Sequence, residues 1–274
     1  MINSKSIENF WTRGDIFSRV HHAMSEAGLI NKELNIEDLF PIDQYHARGI
    51  AATVDLGKRM PISKNQKIID IGCGLGGPAR YYAKEFKCFI TGIDITPSFI
   101  EIGNEFNKLT SMSDNIQLLV GNGEILDFKN ETFDGAYSQH VTMNISDRKK
   151  FFSEAFRVLK KDSFFAFTEH GLGPEGNPIF PLPWADSSEM SFLLPPETTI
   201  SILKDIGFFD IKIIETADKY ISGYEKLIGL KSANKKPILG IHVIGGESMN
   251  ERSTNSMQSI KENRTLPFEI VCKK

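Results

Sequence analysis

Cysteine is scarce in these 274 residues. Cys73, Cys88 and Cys272 lie far apart, with no C-x-x-C pair and no cysteine–histidine spacing suited to zinc. That count excludes a disulfide framework, and no metal is expected. Long apolar runs are missing too: nothing approaches the ~18 residues of a membrane span. The opening Met1-Ile2-Asn3-Ser4-Lys5 has no apolar signal core, so a cytoplasmic location without membrane contact is expected. Charge of either sign is not in excess. Lys and Arg number 32 against 35 Asp and Glu, a net charge of −3, which gives nucleic acid no footing as a partner. Repeats, low-complexity tracts and linkers are absent. What remains is ordinary for a globule, 41% hydrophobic and 24% charged, except that 20 phenylalanines predict a strongly aromatic core or pocket.

The stretch from Ile68 to Arg80 organises the chain. β-branched Ile68, Ile69 and Ile71 fit a buried strand. Gly72, Gly74, Gly76 and Gly77 follow, then a segment that can open a helix. A strand, a glycine turn and a helix N-terminus make a concave site rich in backbone N–H groups. Gly72, Gly74 and Gly77 satisfy G-x-G-x-x-G, and Asp94 stands about 20 residues on, as in a dinucleotide site. Asp70 tells against that reading. A carboxylate at the strand end sits badly beside a pyrophosphate but suits a sulfonium or an ammonium. S-adenosylmethionine is therefore expected as the cofactor, leaving S-adenosylhomocysteine, with Cys73 part of the binding turn.

Downstream of Lys67, strands and helices alternate regularly, which predicts a parallel sheet covered on both faces. Strands are expected at 67–71, 88–93, 116–120, 133–138, 164–168, 208–214 and 268–272. Helices are expected at 76–86, from Thr96-Pro97 with Thr96 as cap, at 147–160 and at 197–206. Residues 1–60 read as a helical cap over the site and 61–274 as the main domain. Within it, 171–196 is a proline-rich loop with six prolines, and 219–262 a helical insertion.

Polar residues fall where successive strands finish: Asp70, Asp94, Asn122, Gln139 with His140, and Glu169 with His170. In an open α/β sheet those ends form the ligand crevice. Asp94 suits both ribose hydroxyls. Asn122 suits the adenine amine, with the Gly123 N–H facing a ring nitrogen. Gln139 suits the amino-acid end of the cofactor. His140 is the first candidate base and Glu169 the next. His170, Tyr45, His46 and Trp184 are candidate acceptor contacts, Trp184 through its aromatic face.

These motifs resemble those of the class I S-adenosylmethionine-dependent methyltransferases. The resemblance rests on Ile68–Gly76, on Gly92-Ile93-Asp94-Ile95, on Gly121-Asn122-Gly123-Glu124, on Phe133–His140, and on Arg157-Val158-Leu159-Lys160. Asn122 stands where that family usually has aspartate. The resemblance implies a Rossmann-like, seven-stranded, mostly parallel sheet with helices on both faces, an N-terminal helical lid and a helical insertion before the last strand. Asp43–Gly49, Gly74–Arg80 and Gln139–Ile145 are similar to the sarcosine/dimethylglycine-type methyltransferases. On that footing Gln44 and Ile95 join the cofactor contacts and Asn144 the acceptor contacts.

The implied reaction is in-line methyl transfer to a small molecule, such as the amine of a glycine-type compound. Positioning at about 3–3.5 Å would supply most of its rate. O- or C-methylation of a lipid-like or polyketide-like acceptor is the alternative. A nicotinamide oxidoreductase and a non-catalytic S-adenosylmethionine sensor stand outside that class. A homodimer is compatible with the sequence.

Overall fold

A computed structural model describes residues 4–30, 32–46, 48–232 and 237–274. Ala47 and residues 233–236, within the expected cap and insertion, lie outside them, as do residues 1–3 and Asn31.

Seven strands form one sheet. They are β1 (Lys67–Ile71), β2 (Phe89–Asp94), β3 (Ile116–Val120), β4 (Phe133–Gln139), β5 (Leu159–Leu172), β6 (Phe209–Glu215) and β7 (Thr265–Lys273), ordered β3-β2-β1-β4-β5-β7-β6. Strands β1 to β5 are parallel, and β7 runs antiparallel to both β5 and β6. The order reverses between β1 and β4, so a crevice opens beyond their C-terminal ends.

Side chains alternate across this sheet as strand geometry requires. Ile69 and Ile71 enter one core with Phe151, Phe152, Phe165, Phe167 and Phe268. Ile68 enters the opposite core with Tyr82, Ile90, Leu118 and Phe164. The phenylalanine-rich layer is fully buried, each ring contributing about 1.5–3 kcal/mol.

Helix α1 (Ser4–Trp11), α2 (Ile16–Glu26), α3 (Ile36–Asp43) and α4 (Ile50–Gly57) precede β1. Gly28, at φ +67°, turns the chain after α2. Helix α5 (Gly77–Phe86) and α6 (Pro97–Leu109) follow β1 and β2, and the earlier helices pack against them. Helix α7 (Arg148–Val158) and α8 (Pro196–Ile206) flank β5 and β6, while α9 (Ala217–Ser232), α10 (Ile241–Gly245) and α11 (Met249–Lys261) precede β7.

Two expectations need correcting. Strand β5 is far longer than 164–168, because the long β7 pairs with it from Phe164 out to Leu172, taking the start of the expected loop. Thr96 does not cap α6 with its side chain: its hydroxyl is buried without a partner, and Asp94 accepts from the Thr96 N–H instead.

Candidate active site

The glycine turn closes through its own backbone. Gly72 and Cys73 N–H both donate to Ile93 O, at 2.7 and 3.0 Å, and Gly76 N–H donates to Cys73 O. Gly74 N–H donates to Asp94 Oδ2 at 2.9 Å. The expected row of free N–H groups is thus largely used inside the turn. Its contribution is close approach: Gly72 lies at φ +85°, and a Cβ there would meet Val141 Cγ2 at 2.1 Å. Gly74, at φ +53°, faces open space.

A cleft enclosing about 1260 Å3, counted to its open mouth, lies over this turn. Asp70, Gly72, Cys73, Gly74, Asp94, Ile95, Asn122, Gly123 and Gln139 all line it, whereas Gly76 lies behind, against Leu118. Asp94 accepts from Thr96 N–H through Oδ1 and from Gly74 N–H through Oδ2, which fixes its carboxylate and leaves each oxygen a further lone pair. Asn122 Oδ1 accepts from Glu124 N–H at 2.8 Å, so this amide also holds its own turn. Gln139 Oε1 accepts from Tyr82 Oη at 3.3 Å, while its Nε2 is buried without a partner. That amide has a donor to spare for a carboxylate.

The charges of the lining decide which cofactor fits. Asp70, Asp94 and Glu124 line the cleft together with Asp43, which Arg80 pairs from behind, and among the described residues no Lys or Arg lines it. A pyrophosphate would find only like charge there; a cationic sulfonium with an ammonium finds the opposite. Burial pushes Asp70 up to about 8 against a hydrogen bond from Tyr137 Oη at 2.8 Å. Burial likewise raises Asp94. These carboxylates await a positive partner.

The cleft is roofed from the N-terminal side by Ile7, Trp11, Asp43, Tyr45 and His46. Arg80 on α5 fastens that roof: wholly buried, it donates to Asp43 Oδ2 on α3, to Leu75 O and to Asn107 Oδ1 on α6. Gly77 allows the contact, since a Cβ there would lie 2.2 Å from Asp43 O.

A second chamber, enclosing about 480 Å3, joins the cleft at Trp11, Tyr45, His46 and His140. Beyond that neck its walls include His170, Trp184, Tyr220, Tyr224 and Met249. His140 adopts φ +57° and its Nε2 meets Tyr220 Oη in a short hydrogen bond. Its ring lies 5.5 Å from His46 and 5.6 Å from His170. Burial holds His46 and His170 down at about 3, with Arg48 adding to the effect on His46; burial and the other imidazoles lower His140 as well. All three are neutral near pH 7. Among the described residues, both His46 nitrogens and His170 Nδ1 lack partners.

Comparison with known proteins fits this geometry. Residues 69–167 match the methyltransferase domain family. That stretch resembles the methyltransferase domains of class I S-adenosylmethionine-dependent enzymes. The chain is similar to the sterol 24-C-methyltransferase of Debaryomyces hansenii, 32% identical over 114 residues that cover 42% of this chain and 30% of that protein. It is also similar to the sarcosine/dimethylglycine N-methyltransferase of Aphanothece halophytica, 32% identical over 129 residues, 47% of this chain and 46% of that one. The chain spans less than half the length of these curated relatives. Its fold is that of phosphoethanolamine N-methyltransferase 2 of Haemonchus contortus, at TM-score 0.79 and 18% identity, covering 100% of this chain and 61% of that one.

Besides Gly76, three expected site residues do not stand as read. Glu169 faces neither cavity. It lies on the far face of β5, where Thr142, Arg148 and Thr199 donate to its two oxygens. Strand alternation sends its neighbour His170 into the chamber instead. Gln44 is buried behind the cleft, its Oε1 accepting from Thr53 Oγ1 at 2.6 Å. Asn144 touches the cleft, but its Nδ2 donates to Trp184 O and Met190 O, tethering the proline-rich loop. Trp184 serves twice: it lines the chamber, 4.7 Å from the His170 ring, and its Nε1 donates to Ser191 Oγ. Trp11, Tyr220, Tyr224 and Met249 were missed. They sit on helices distant in sequence, and no local pattern marks them.

Proposed function

We propose that this methyltransferase methylates a small acceptor with an apolar or aromatic body, seated in the second chamber, at a neutral amine, a hydroxyl or a carbon presented at the His46–His140 neck. The observation that carries the reading is the pairing of the two spaces. One is lined by four carboxylates and no described cation; the other is aromatic, with three neutral imidazoles, and the two meet at a narrow neck. S-adenosylmethionine supplies an electrophilic methyl group. The chain's own part is binding and orientation: Asp94 for the ribose, Gln139 and Asp70 for the amino-acid end, aromatic walls to exclude water.

An ammonium acceptor is poorly served in the chamber, because no carboxylate among its described lining residues would neutralise it. Desolvation there favours the uncharged amine that attack requires. His46, with both nitrogens unpartnered among the described residues and held neutral by burial and Arg48, is better placed to accept a hydrogen bond from the attacking group than His140, whose Nε2 is engaged with Tyr220. The glycine-type acceptor finds less support, since its carboxylate would meet no Lys or Arg in the described chamber wall. Relatives named for sterol carbon and for sarcosine nitrogen leave the attacked atom open.

The test is release of S-adenosylhomocysteine from S-adenosylmethionine with phenols, aromatic amines, sarcosine and glycine offered in parallel. Turnover confined to the aromatic set supports the reading. Turnover with glycine or sarcosine alone overturns the acceptor assignment. Calorimetry showing NAD bound in preference to S-adenosylhomocysteine overturns the whole.

A further inference from the structure

We propose that the acceptor carries an anionic group, a carboxylate or a phosphate, held by Arg13 and Arg19, with the charge of Arg252 behind them, in a third cavity that opens off the acceptor chamber. This rests on the methyl-transfer reading above and adds the charge of the substrate to it.

The third cavity shares Trp11, Tyr45, Pro183 and Met249 with the chamber. Trp11 and Tyr45 also line the cofactor cleft, so these two rings stand where three spaces meet. The new space encloses about 670 Å3, counted to its open mouth. Its outer wall is the turn at Gly14 between α1 and α2, together with Gly245, Gly246 and Glu247 between α10 and α11.

The three guanidiniums converge without being fully neutralised. Arg13 Nη1 donates to Asp186 Oδ2 at 2.7 Å, and Arg252 Nη2 donates to Oδ1 of the same carboxylate. Two positive groups thus share one negative one. Both lie over the Phe10 ring, their central carbons 3.9 and 5.6 Å from its centroid. Arg19 is fixed by carbonyls alone: Nε donates to Val243 O at 3.1 Å and Nη2 to Ile244 O at 3.0 Å. Carbonyl anchors orient a guanidinium and leave its charge in place. Among the described residues Arg13 Nη2 and Arg19 Nη1 make no hydrogen bond, so donors remain for a planar carboxylate or a phosphate. The other acids nearby are Asp15, which caps α2 through Ser18 and also feels the charge of Arg19, and the exposed Glu247 on the rim. Burial raises the Tyr45 phenol, the ring that divides this cavity from the chamber, and the charges of all three arginines oppose that rise.

An acceptor spanning both spaces would put its reacting atom at the neck and its anion beyond Tyr45. It is therefore longer than glycine, which agrees with a chamber wall that lacks a cation of its own.

The experiment uses the full chain saturated with S-adenosylhomocysteine and titrated by calorimetry with phenyl phosphate, benzoate and benzyl alcohol. At least one anion is expected to bind tenfold or more tighter than the alcohol, and which anion binds tighter separates phosphate from carboxylate. Arg13→Gln and Arg19→Gln should each cut anion affinity at least fivefold, leaving the affinities for benzyl alcohol and S-adenosylhomocysteine unchanged. Asp186→Asn, which removes the resident competitor, should raise anion affinity. Anions binding no tighter than the alcohol, or equally well in both arginine variants, overturn the proposal, and a fall in Asp186→Asn counts against it. Failure of the parent chain to bind S-adenosylhomocysteine overturns the methyl-transfer reading instead.

Discussion

The cofactor cleft and the acceptor chamber meet at one neck yet are assembled in opposite ways. The cleft draws most of its wall from the tips of neighbouring parallel strands, where one register brings Asp70, Asp94 and Gln139 to the same edge. The chamber takes Trp11 from α1, Trp184 from the proline-rich loop, Tyr220 and Tyr224 from α9 and Met249 from α11. A cavity made by sheet register tolerates little change, because moving one tip moves its neighbours. A cavity made by side chains on separate helices can change its contents without disturbing the sheet. Cofactor chemistry is thus built into the fold, and acceptor choice is built onto it.

The sharpest way to break that contrast is to cut the joint between the two halves. Arg80→Met strands the wholly buried Asp43, and a loss of about 3–5 kcal/mol is expected in chemical denaturation. Burial already raises Asp43 to about 6 despite Arg80, so Asp43→Asn added to Arg80→Met should recover part of the loss. A loss below about 1 kcal/mol would mean that the roof is not fastened there.

Asp94→Ala comes next. Removing charge-assisted contacts worth about 1.5–3 kcal/mol should weaken S-adenosylhomocysteine about 10- to 100-fold by calorimetry, and the thermal midpoint should fall too, since the Gly74 and Thr96 N–H groups lose their acceptor. Unaltered affinity would remove the ribose assignment. On the chamber side, Tyr220→Phe deletes the hydroxyl bonded to His140 Nε2. Methyl transfer should fall about fivefold while S-adenosylhomocysteine binds as before, as one hydrogen bond of about 1 kcal/mol implies. If cofactor affinity falls equally, the two cavities are not separable.

The smallest effect is one of pH. Because burial holds Asp70 up at about 8, the empty folded chain keeps a proton that the unfolded chain sheds near its ordinary 3.8. This group's contribution to stability therefore declines between those values as pH rises. A bound cation favours the ionised carboxylate, so affinity for S-adenosylhomocysteine should increase several-fold from pH 6 to pH 8. Asp70→Asn should flatten that slope; a slope that survives would assign it elsewhere.

Legibility in the sequence followed the same division. Register and glycine spacing made the strands, the turn and most of the cleft wall readable. Glu169 was misread for a definite reason. The strand-tip rule assumes that the strand stops, and pairing with β7 carries β5 on to Leu172, turning Glu169 toward Arg148 and Thr142. The phenylalanines pointed to an aromatic interior, and they fill the core beneath the sheet; the chamber wall holds Trp, Tyr and His instead. Tyr220 was beyond reach, since nothing local in the weakly patterned stretch around α9 ties it to His140.

The reversed β7 has a consequence for how the chain is made. Strand β6 leaves the ribosome well before β7, yet β7 is its one hydrogen-bonded neighbour in the sheet. Until Thr265 and its successors emerge, both edges of β6 are bare, and Phe209 and Ile213 stay exposed even in the finished sheet. That interval is when a nascent chain is most open to sticking to its neighbours on a polysome, and a holding chaperone would find its target there.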